Sequence, residues 1–243
     1  MNLLILGGNS EIALALAHLF AEKHGAHITL ASRDTALLEK KAKDLELRYQ
    51  VTARAVPFDA QDFDSHEKFY AGLDPKPDVA LLAFGVLGDQ EQAQNDFAQA
   101  KQILDVNYTG AASILEIIAR DFEQKGRGSI LGLSSPAGLR GRQSNYLYGA
   151  AKGALAIHLS GLRHRLHKAG VHVMTIFPGF TATKMTEGMD LPPRLTATPE
   201  QVARDIHKGW RKKKNVIYSR WFWRYIMLII RFLPEFLFKR TKL

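Results

Sequence analysis

Residues 2–13 read Asn-Leu-Leu-Ile-Leu-Gly-Gly-Asn-Ser-Glu-Ile-Ala. The apolar run 3–6 predicts a buried strand, and the glycine pair Gly7-Gly8 predicts a tight turn into an amphipathic helix. Backbone N–H groups at the start of that helix could meet a pyrophosphate. The glycine pair alone is weak evidence for such a site, because tight strand-to-helix turns also use glycine for structural reasons.

The same alternation of short apolar runs and helical patterns continues along the chain. The expected strands are residues 2–6, 27–31, 51–56, 78–84, 128–134, 171–177 and 215–218. The expected helices lie near residues 11–24, 35–48, 64–72, 91–122, 145–169 and 199–213. Short strands separated by amphipathic helices indicate βαβ units and a parallel sheet that is covered on both faces. With right-handed crossovers, we predict a single α/β domain with a doubly wound, Rossmann-type parallel sheet of about seven strands.

The composition supports one folded domain and excludes several kinds of chemistry. A chain of 243 residues with 46% hydrophobic content can form one large α/β core. It contains no cysteine, which excludes disulfides and thiol catalysis and is typical of a reducing compartment. Its nine histidines are scattered, without a His-x-x-x-His or Glu-x-x-His cluster, so we predict no metal site. Met1 and Asn2 run directly into the first strand, and we expect no signal peptide.

The net charge of +9 is concentrated at the end of the chain. Residues 1–209 contain 23 Lys+Arg and 23 Asp+Glu, whereas residues 210–243 contain ten basic residues and one acid, Glu235. A basic domain that binds DNA would more often spread its positive charge across a folded face. We therefore predict no nucleic-acid partner.

A second stretch, residues 134–153, contains a pattern typical of proton transfer. Tyr148 and Lys152 are four residues apart and share one face of a helix. An ammonium beside a phenol favours the phenolate and lowers the tyrosine pKa, as a proton donor working near neutral pH requires. Ser135, thirteen residues before Tyr148, could hold a substrate carbonyl against that phenol. The Tyr-x-x-x-Lys spacing alone is weak, because both residues are common on helix surfaces.

The end of the second expected strand favours one nucleotide cofactor over another. Ligands of such sheets bind beyond the carboxyl ends of the strands, and a free ribose 2′-OH usually meets an acid there. Ser32 and Arg33 occupy this position and suit a 2′-phosphate, so NADP(H) is favoured over NAD(H). The alternative is that Ser32 or Asp34 caps the next helix and that Arg33 is solvated.

Taken together, residues 1 to about 218 resemble the short-chain dehydrogenase/reductase family. Ser135, Tyr148 and Lys152 match the catalytic serine, tyrosine and lysine of that family at their usual spacing. Asn107, in Asp-Val-Asn-Tyr-Thr-Gly, matches the fourth catalytic position, which holds a proton-relay water through its helix backbone. The resemblance implies an NADP(H)-binding domain over residues 1–218 and a dehydrogenase or reductase that acts on CH–OH and C=O groups.

The resemblance also implies contacts with the cofactor. Asp59, after the third strand, matches the acid that typically contacts adenine, and Pro178-Gly179 followed by Thr183 matches the segment that wraps the nicotinamide carboxamide. The expected cofactor site comprises Gly7, Gly8, Asn9, Ser10, Ile12, Ser32, Arg33, Asp59, Ala83, Phe84, Gly85, Tyr148, Lys152, Pro178, Gly179 and Thr183.

Two departures from the family pattern affect this site. The usual Thr-Gly-x-x-x-Gly-x-Gly turn is Leu6 to Ala13 here, and Glu11 brings a carboxylate that would repel a phosphate unless it points away or caps the helix. The usual Asn-Ala-Gly after the fourth strand is Ala83-Phe84-Gly85, so an asparagine that steadies the sheet is missing.

These departures, together with the segments 83–89 and 223–234, resemble the decaprenylphosphoryl-2-keto-ribose reductases. Those enzymes reduce a 2-keto pentose carried on a polyprenyl phosphate and complete an epimerisation of ribose to arabinose that a flavin oxidase begins. The resemblance implies a lipid-linked sugar ketone as substrate and a flavin oxidase as partner. We also expect a homo-oligomer.

The tail, residues 219–243, predicts an amphipathic helical segment at a membrane surface. Its uninterrupted apolar run, 225–230, is far too short to span a bilayer, which needs about 20 apolar residues. Trp and Tyr beside Lys and Arg suit the headgroup layer of an anionic membrane. The alternative is a helix packed on the protein's own core or at a dimer interface. We expect a cytoplasmic enzyme attached peripherally to the inner face of the cell membrane.

Two other functions remain open at this point. The first is a general reductase of 3-oxoacyl, steroid or xenobiotic ketones, whose tail serves only for oligomerisation. The second is a non-catalytic NADP(H)-binding scaffold, although such a protein would not need Ser135, Tyr148 and Lys152 together.

Overall fold

The computed structural model describes residues 1–241 and contains a parallel sheet of seven strands in the order β3-β2-β1-β4-β5-β6-β7. The strands are β1 (Asn2–Leu6), β2 (His27–Ser32), β3 (Ala53–Pro57), β4 (Val79–Leu82), β5 (Ser129–Leu133), β6 (His172–Pro178) and β7 (Val216–Ser219). Every residue of β4 is buried, as expected for a central strand covered on both faces. The predicted doubly wound α/β fold is confirmed.

Helices cover both faces of the sheet. They are α1 (Glu11–His24), α2 (Thr35–Tyr49), α3 (His66–Ala71), α4 (Gln90–Ala93), α5 (Phe97–Leu104), α6 (Gly110–Lys125), α7 (Tyr146–Leu166), α8 (Pro199–Arg211), α9 (Trp223–Phe232) and α10 (Glu235–Phe238). Helices α1, α2 and α8 pack on one face, and α3, α6 and α7 pack on the other. The sheet therefore separates two apolar cores, and its carboxyl edge remains accessible between the helical layers.

The single helix predicted over residues 91–122 is wrong. The chain forms α4, α5, a π-helical turn at Asp105–Thr109 and then α6. The break lies where Asp96 caps α5, since its carboxylate accepts a hydrogen bond from the backbone N–H of Ala98 at 2.9 Å. The break itself is polar, Gln94-Asn95-Asp96, but Ala93, Phe97 and Ala100 on either side keep a helical spacing, so the periodicity alone did not show it.

The crevice at the carboxyl edge lies between β1 and β4, where the chain changes direction across the sheet. Leu6 pairs with Leu82, so the loops after these strands begin side by side. Gly7 has a φ of 93°, and a Cβ there would lie 2.5 Å from the backbone nitrogen of Phe84. Only glycine permits this approach of the two loops, and ligands of doubly wound sheets bind at such a point.

Strand β7 ends at Ser219, the first residue of the segment that we assigned to the tail. The tail continues as α9 and α10, and Lys242 and Leu243 lie outside the described residues. Among residues 1–241, no helix is long and apolar enough to cross a membrane.

Candidate active site

Two hydrogen bonds fasten the start of α7 to the end of β5. The Ser134 hydroxyl donates to the backbone carbonyl of Lys152 at 2.8 Å, and the Lys152 Nζ donates to the carbonyl of Leu133 at 3.3 Å. These contacts hold one face of α7 against the strand end. Tyr148, one turn earlier on that face, consequently lies beside Ser135.

The predicted proton-transfer residues are brought together, but their electrostatics differ from the expectation. Burial raises the pKa of Tyr148, and a hydrogen bond with Ser135 opposes that shift. Lys152 Nζ lies 5.9 Å from the centroid of the Tyr148 ring. Burial lowers the pKa of Lys152 to about 8. The predicted lowering of the Tyr148 pKa by Lys152 is therefore not found in this structure, because loss of water dominates at both groups.

Asn107 lies fully buried within the π-helical turn, a distortion that often marks functional sites. Its amide nitrogen donates to the carbonyls of Val86 at 2.7 Å and Ile103 at 2.9 Å, which ties the loop after β4 to α5. A Cβ on Gly85 would lie 2.6 Å from Asn107 Oδ1 and 3.0 Å from Lys152 Nζ. Glycine at position 85 therefore allows Asn107 and Lys152 to approach each other across this loop.

The turn after β1 has the features of a phosphate-binding helix start. Ser10 caps α1 by accepting a hydrogen bond from the Ala13 N–H at 3.4 Å. The Glu11 carboxylate accepts a hydrogen bond from the backbone N–H of Lys184 at 3.1 Å. Glu11 is thus engaged with the loop after β6, and it still lines the cofactor cleft, so a carboxylate remains close to the expected phosphate site.

Asn9 in this turn contacts Lys41 of α2, a cation that was not predicted from the sequence. Lys41 Nζ donates to the carbonyl of Asn9 at 3.3 Å and to its side-chain oxygen at 3.1 Å. Asn9 in turn donates to the Ser32 hydroxyl at 3.3 Å, beside the exposed Arg33. The signal for Lys41 was its place on α2 three residues after the buried Leu38, which directs it toward the sheet.

The helix-cap alternative considered for this segment is also correct in part. Asp34 caps α2, because its carboxylate accepts a hydrogen bond from the Leu37 N–H at 3.0 Å. Arg33 is exposed and still lines the cleft. Capping and a role in nucleotide binding are therefore compatible in this loop.

A cleft of about 280 Å³ connects the turn after β1 with Tyr148. Most predicted cofactor residues line it: Gly7, Asn9, Ser10, Ile12, Ser32, Arg33, Asp59, Ala83, Phe84, Gly85, Tyr148, Lys152, Pro178 and Thr183. Gly8 does not line it, since a Cβ at this position would contact Leu30 and Leu38 beneath the turn. Gly179 lines the neighbouring cavity instead.

The second cavity, of about 180 Å³, shares Tyr148 with the cofactor cleft. Ser135 lies in its wall, so a carbonyl group bound there would meet both hydroxyls. Apolar residues make up much of the remaining wall: Ile12, Leu87, Pro136, Ala137, Pro178, Phe180, Met185, Met189 and Trp223. We call this the substrate cavity. Within residues 1–241, no group of three or more His, Cys, Asp or Glu side chains could hold a metal ion.

Helix α9 forms part of the substrate cavity. Trp223 is 4% exposed, donates from Nε1 to the Leu195 carbonyl at 3.2 Å and packs edge-on against Phe180. It lies so close over Gly179 that any Cβ at this position would clash with the indole. We predicted the aromatic residues of the tail to lie at a membrane surface or to form an apolar lip over the active site, and Trp223 lies in the wall of the substrate cavity.

The opposite face of α9 and the segments beside it are exposed. We call this surface the exposed tail patch, and it comprises Trp221, Tyr225, Leu228, Ile229, Phe232, Phe236 and Leu237. Arg224 and Arg231, seven residues apart, lie along one edge of the same helix and are exposed. One helix therefore contributes to the site with one face and presents large apolar side chains with the other.

Arg140 holds the end of α9 in place. Its guanidinium donates to the carbonyls of Ile230 at 2.7 Å and Leu233 at 2.6 Å, and it also pairs with Glu235 at 2.8 Å. These carbonyls belong to the last turn of α9 and the residue after it, where a cation is favourable. Because Arg140 follows the turn that carries Ser135, it attaches the tail directly to that turn.

Comparison with known proteins agrees with this geometry. A family model described as short chain dehydrogenase matches residues 1–192. The protein belongs to the short-chain dehydrogenase family. It is 37% identical over 239 residues to an uncharacterized oxidoreductase of Mycobacterium tuberculosis, covering 97% of this chain and 95% of that protein.

Two further likenesses bear on this short-chain dehydrogenase. It is 30% identical over 197 residues to a 3-dehydrosphinganine reductase of Arabidopsis thaliana, covering 79% of this chain and 59% of that protein. Its fold is similar to that of a short-chain dehydrogenase from Sphingobium yanoikuyae solved in complex with NADPH, with a TM-score of 0.81 and 21% identity. That match covers 89% of this chain and 86% of the solved chain.

Proposed function

We propose that this short-chain dehydrogenase uses NADPH to reduce a 2-keto pentose that is linked to a polyprenyl phosphate at the inner face of the cell membrane. The reaction would complete an epimerisation of ribose to arabinose after a flavin oxidase has oxidised the 2-hydroxyl. The observation that carries the proposal is the double role of α9. Its Trp223 lines the substrate cavity, while the exposed tail patch lies on its other side.

The cleft fits a nicotinamide dinucleotide phosphate. Gly7 and Ser10 line the cleft at the turn into α1, where backbone N–H groups would bind the pyrophosphate, and we assign Asp59 in the same cleft to adenine. Lys41 and Arg33 supply two cations near Ser32, which favours a 2′-phosphate over a free hydroxyl. When bound, this cofactor supplies the hydride.

The protein's own side chains supply the proton and the orientation. Ser135 positions the carbonyl oxygen, and Tyr148 donates its phenolic proton to that oxygen as the alcohol forms. We assign Lys152, which is buried and lies 5.9 Å from the centroid of the Tyr148 ring, to holding the nicotinamide ribose. We assign Asn107 to the resupply of protons, through a water held at the π-helical turn.

The charge of the tail supports an anionic membrane as the surface that the exposed tail patch meets. Glu235, the single acid among residues 210–243, is already paired with Arg140. Arg224, Arg231, Lys239 and Arg240 are exposed and form no ion pair within residues 1–241. An apolar face bordered by unpaired cations is the arrangement expected of a helix that lies in the headgroup layer.

Incubation of the purified protein with a 2-keto pentosyl polyprenyl phosphate and NADPH tests the proposal. We expect NADPH oxidation together with formation of the arabinosyl product, identified by sugar analysis after acid release. Tyr148→Phe in the same assay shows whether turnover depends on the assigned proton donor. Absence of turnover with this substrate, in a protein that binds NADPH, would overturn the proposal.

A second candidate substrate is a long-chain ketone without a sugar. The 30% identity with a 3-dehydrosphinganine reductase favours it, and a membrane-facing cavity would serve such a lipid equally well. Turnover of 3-dehydrosphinganine in place of the sugar ketone would select this candidate. Turnover of water-soluble ketones alone, with no vesicle binding, would instead indicate a general reductase whose tail serves for oligomerisation.

A further inference from the structure

Arg142 is an unusual residue in the wall of the substrate cavity. It lies on the loop between Ser135 and α7, and it is the only charged side chain among the described residues that line this cavity. Its one protein contact through hydrogen bonding is weak, from Nη2 to the Met227 sulfur at 3.5 Å. Its Nε is buried and has no hydrogen-bond partner within residues 1–241. Most N–H groups of the guanidinium therefore have no protein acceptor within residues 1–241.

The partial burial of this cation needs a physical reason, because Arg142 is of intermediate exposure and its Nε is fully buried. Burial lowers the pKa of Arg142, yet an arginine remains charged at neutral pH. Removing part of a cation from water without an anion is costly, and Arg142 forms no ion pair within residues 1–241. Support of α9 does not explain it, because Arg140 already holds that helix through several carbonyls and Glu235. A ligand that carries an anion would complete the coordination of Arg142.

A second unsatisfied polar group lies beside it. The backbone N–H of Asn145 donates to the Arg142 carbonyl at 3.1 Å, so one turn holds both residues. The side-chain oxygen of Asn145 is buried without a partner, and Asn145 also lines the substrate cavity. Buried polar atoms in folded proteins are nearly always hydrogen-bonded, and two unpaired ones on a single turn point to a polar ligand.

We propose that Arg142 and Asn145 bind the phosphodiester group of the substrate, so that the enzyme selects ketones bearing this anion close to the carbonyl. This inference rests on the proposed function and deepens it. In a 2-keto pentosyl phosphate the phosphate is attached to the carbon next to the ketone, so both groups must fit into one small cavity. The guanidinium fork matches two phosphate oxygens, and the Asn145 amide can bond to a phosphate oxygen or a sugar hydroxyl.

The position of Arg142 also predicts the direction in which the prenyl chain leaves the substrate cavity. Met227 of α9 contacts the guanidinium through its sulfur, and Trp223 on the same helix lines the cavity. The prenyl chain would leave the phosphate along α9, toward the exposed tail patch. The sugar would remain at Ser135 and Tyr148.

Binding of a short product analogue tests the inference without requiring turnover. Farnesylphosphoryl arabinofuranose is titrated calorimetrically into the enzyme saturated with NADP⁺, and farnesyl arabinofuranoside, which lacks the phosphate, serves as the neutral probe. We expect the wild type to prefer the phosphodiester by about ten- to a hundredfold, the loss typical of a hydrogen-bonded charge pair. Arg142→Met should abolish that preference and leave the affinity for the neutral probe unchanged. Arg142→Lys should retain part of it, because the charge remains while the fork is lost.

Arg127→Met is the matched control. Arg127 is exposed and precedes β5, at the opposite end of the sheet, so this variant should behave as the wild type. Equal wild-type affinities for the two probes, no binding of either probe, or a preference that survives Arg142→Met would each overturn the inference.

Should Arg142→Met fail to fold, judged by NADPH affinity and thermal midpoint, Asn145→Ser must reduce the same preference. A protein that binds the phosphodiester through Arg142 without reducing the keto sugar would overturn the proposed function alone.

Discussion

The carboxyl edge of the sheet and the exposed tail patch differ in what determines their structure. At the sheet edge, backbone geometry places each group: a Cβ at Gly85 would clash with Asn107, and Ser134 binds the carbonyl of Lys152. The tail patch is instead defined by composition, because large apolar side chains are presented on a helix face that has no partner within residues 1–241. A change of a single group should therefore disrupt the first region, whereas the second should respond to the total apolar surface of several side chains.

Tyr148→Phe should produce the largest effect, since it removes the hydroxyl that we propose as the proton donor at the sheet edge. We expect kcat to fall by about a hundred- to ten-thousandfold, the usual range for loss of a general acid. NADPH affinity and vesicle binding should stay close to those of the wild type. The measurement is steady-state reduction at saturating NADPH.

Tyr146→Phe provides the matched control on the same helix. Tyr146 lies two residues earlier and is 42% exposed, so loss of its hydroxyl should leave kcat unchanged. Equal losses from the two variants would mean that Tyr148 acts through packing of α7 and does not act as the acid.

A triple variant of the exposed tail patch should reduce vesicle binding and leave turnover unchanged, which is the opposite of the result expected for Tyr148→Phe. With Tyr225→Ser, Ile229→Ser and Phe232→Ser together, we expect binding to anionic vesicles to fall at least about tenfold, since each side chain contributes roughly 1.5 kcal/mol or more when fully buried. Turnover of a water-soluble ketone should be unchanged. Vesicle sedimentation at low and high salt measures both contributions, because salt screens only the electrostatic part.

Trp223→Ala on the same helix should show the reverse pattern. Trp223 is buried in the wall of the substrate cavity, and its removal should cost about 3 kcal/mol of unfolding free energy and raise KM. Its vesicle binding should change little.

If the triple variant of the exposed tail patch instead unfolds or aggregates while the wild type remains in the supernatant with vesicles, the patch is an interface between protein surfaces.

The two regions also differ in how far the sequence predicted them. The shared helix face of Tyr148 and Lys152 follows from their spacing, because local helix geometry determines it, and the association of Ser135 with them follows from the resemblance to the family. The burial of Trp223 does not, since an indole suits a membrane headgroup layer and a cavity wall equally well. Arg142 was not predicted for a related reason, because a basic residue in a polar loop is expected to be exposed to solvent.

Arg33→Asp tests a smaller effect within the cofactor cleft. It removes a cation near the 2′-phosphate and supplies an acceptor for a 2′-hydroxyl, so the ratio of kcat/KM for NADPH to that for NADH should fall by about tenfold. Lys41→Gln should lower the same ratio without improving the use of NADH. An unchanged ratio in both variants would show that Arg33 is a solvated loop residue and that NADP(H) selectivity has another source.

The smallest predicted effect concerns the pH dependence of stability, which follows from the burial of Lys152 at the sheet edge. The exposed tail patch has no such buried cation. Burial lowers the pKa of Lys152 from 10.5 to about 8, so between these values the unfolded chain holds a proton that the folded chain has released. The free energy of unfolding should consequently rise with pH above about 8, by at most about 1.4 kcal/mol per pH unit, and be independent of Lys152 titration below it. Burial raises the pKa of Tyr148, which gives an opposite trend near pH 10, and the useful window is therefore about pH 8 to 9.5. Urea unfolding of the cofactor-free protein should show the rise in the wild type and in a variant of the exposed Lys40, Lys40→Met, but not in Lys152→Met. A rise of equal slope in all three proteins would mean that Lys152 remains hydrated in solution.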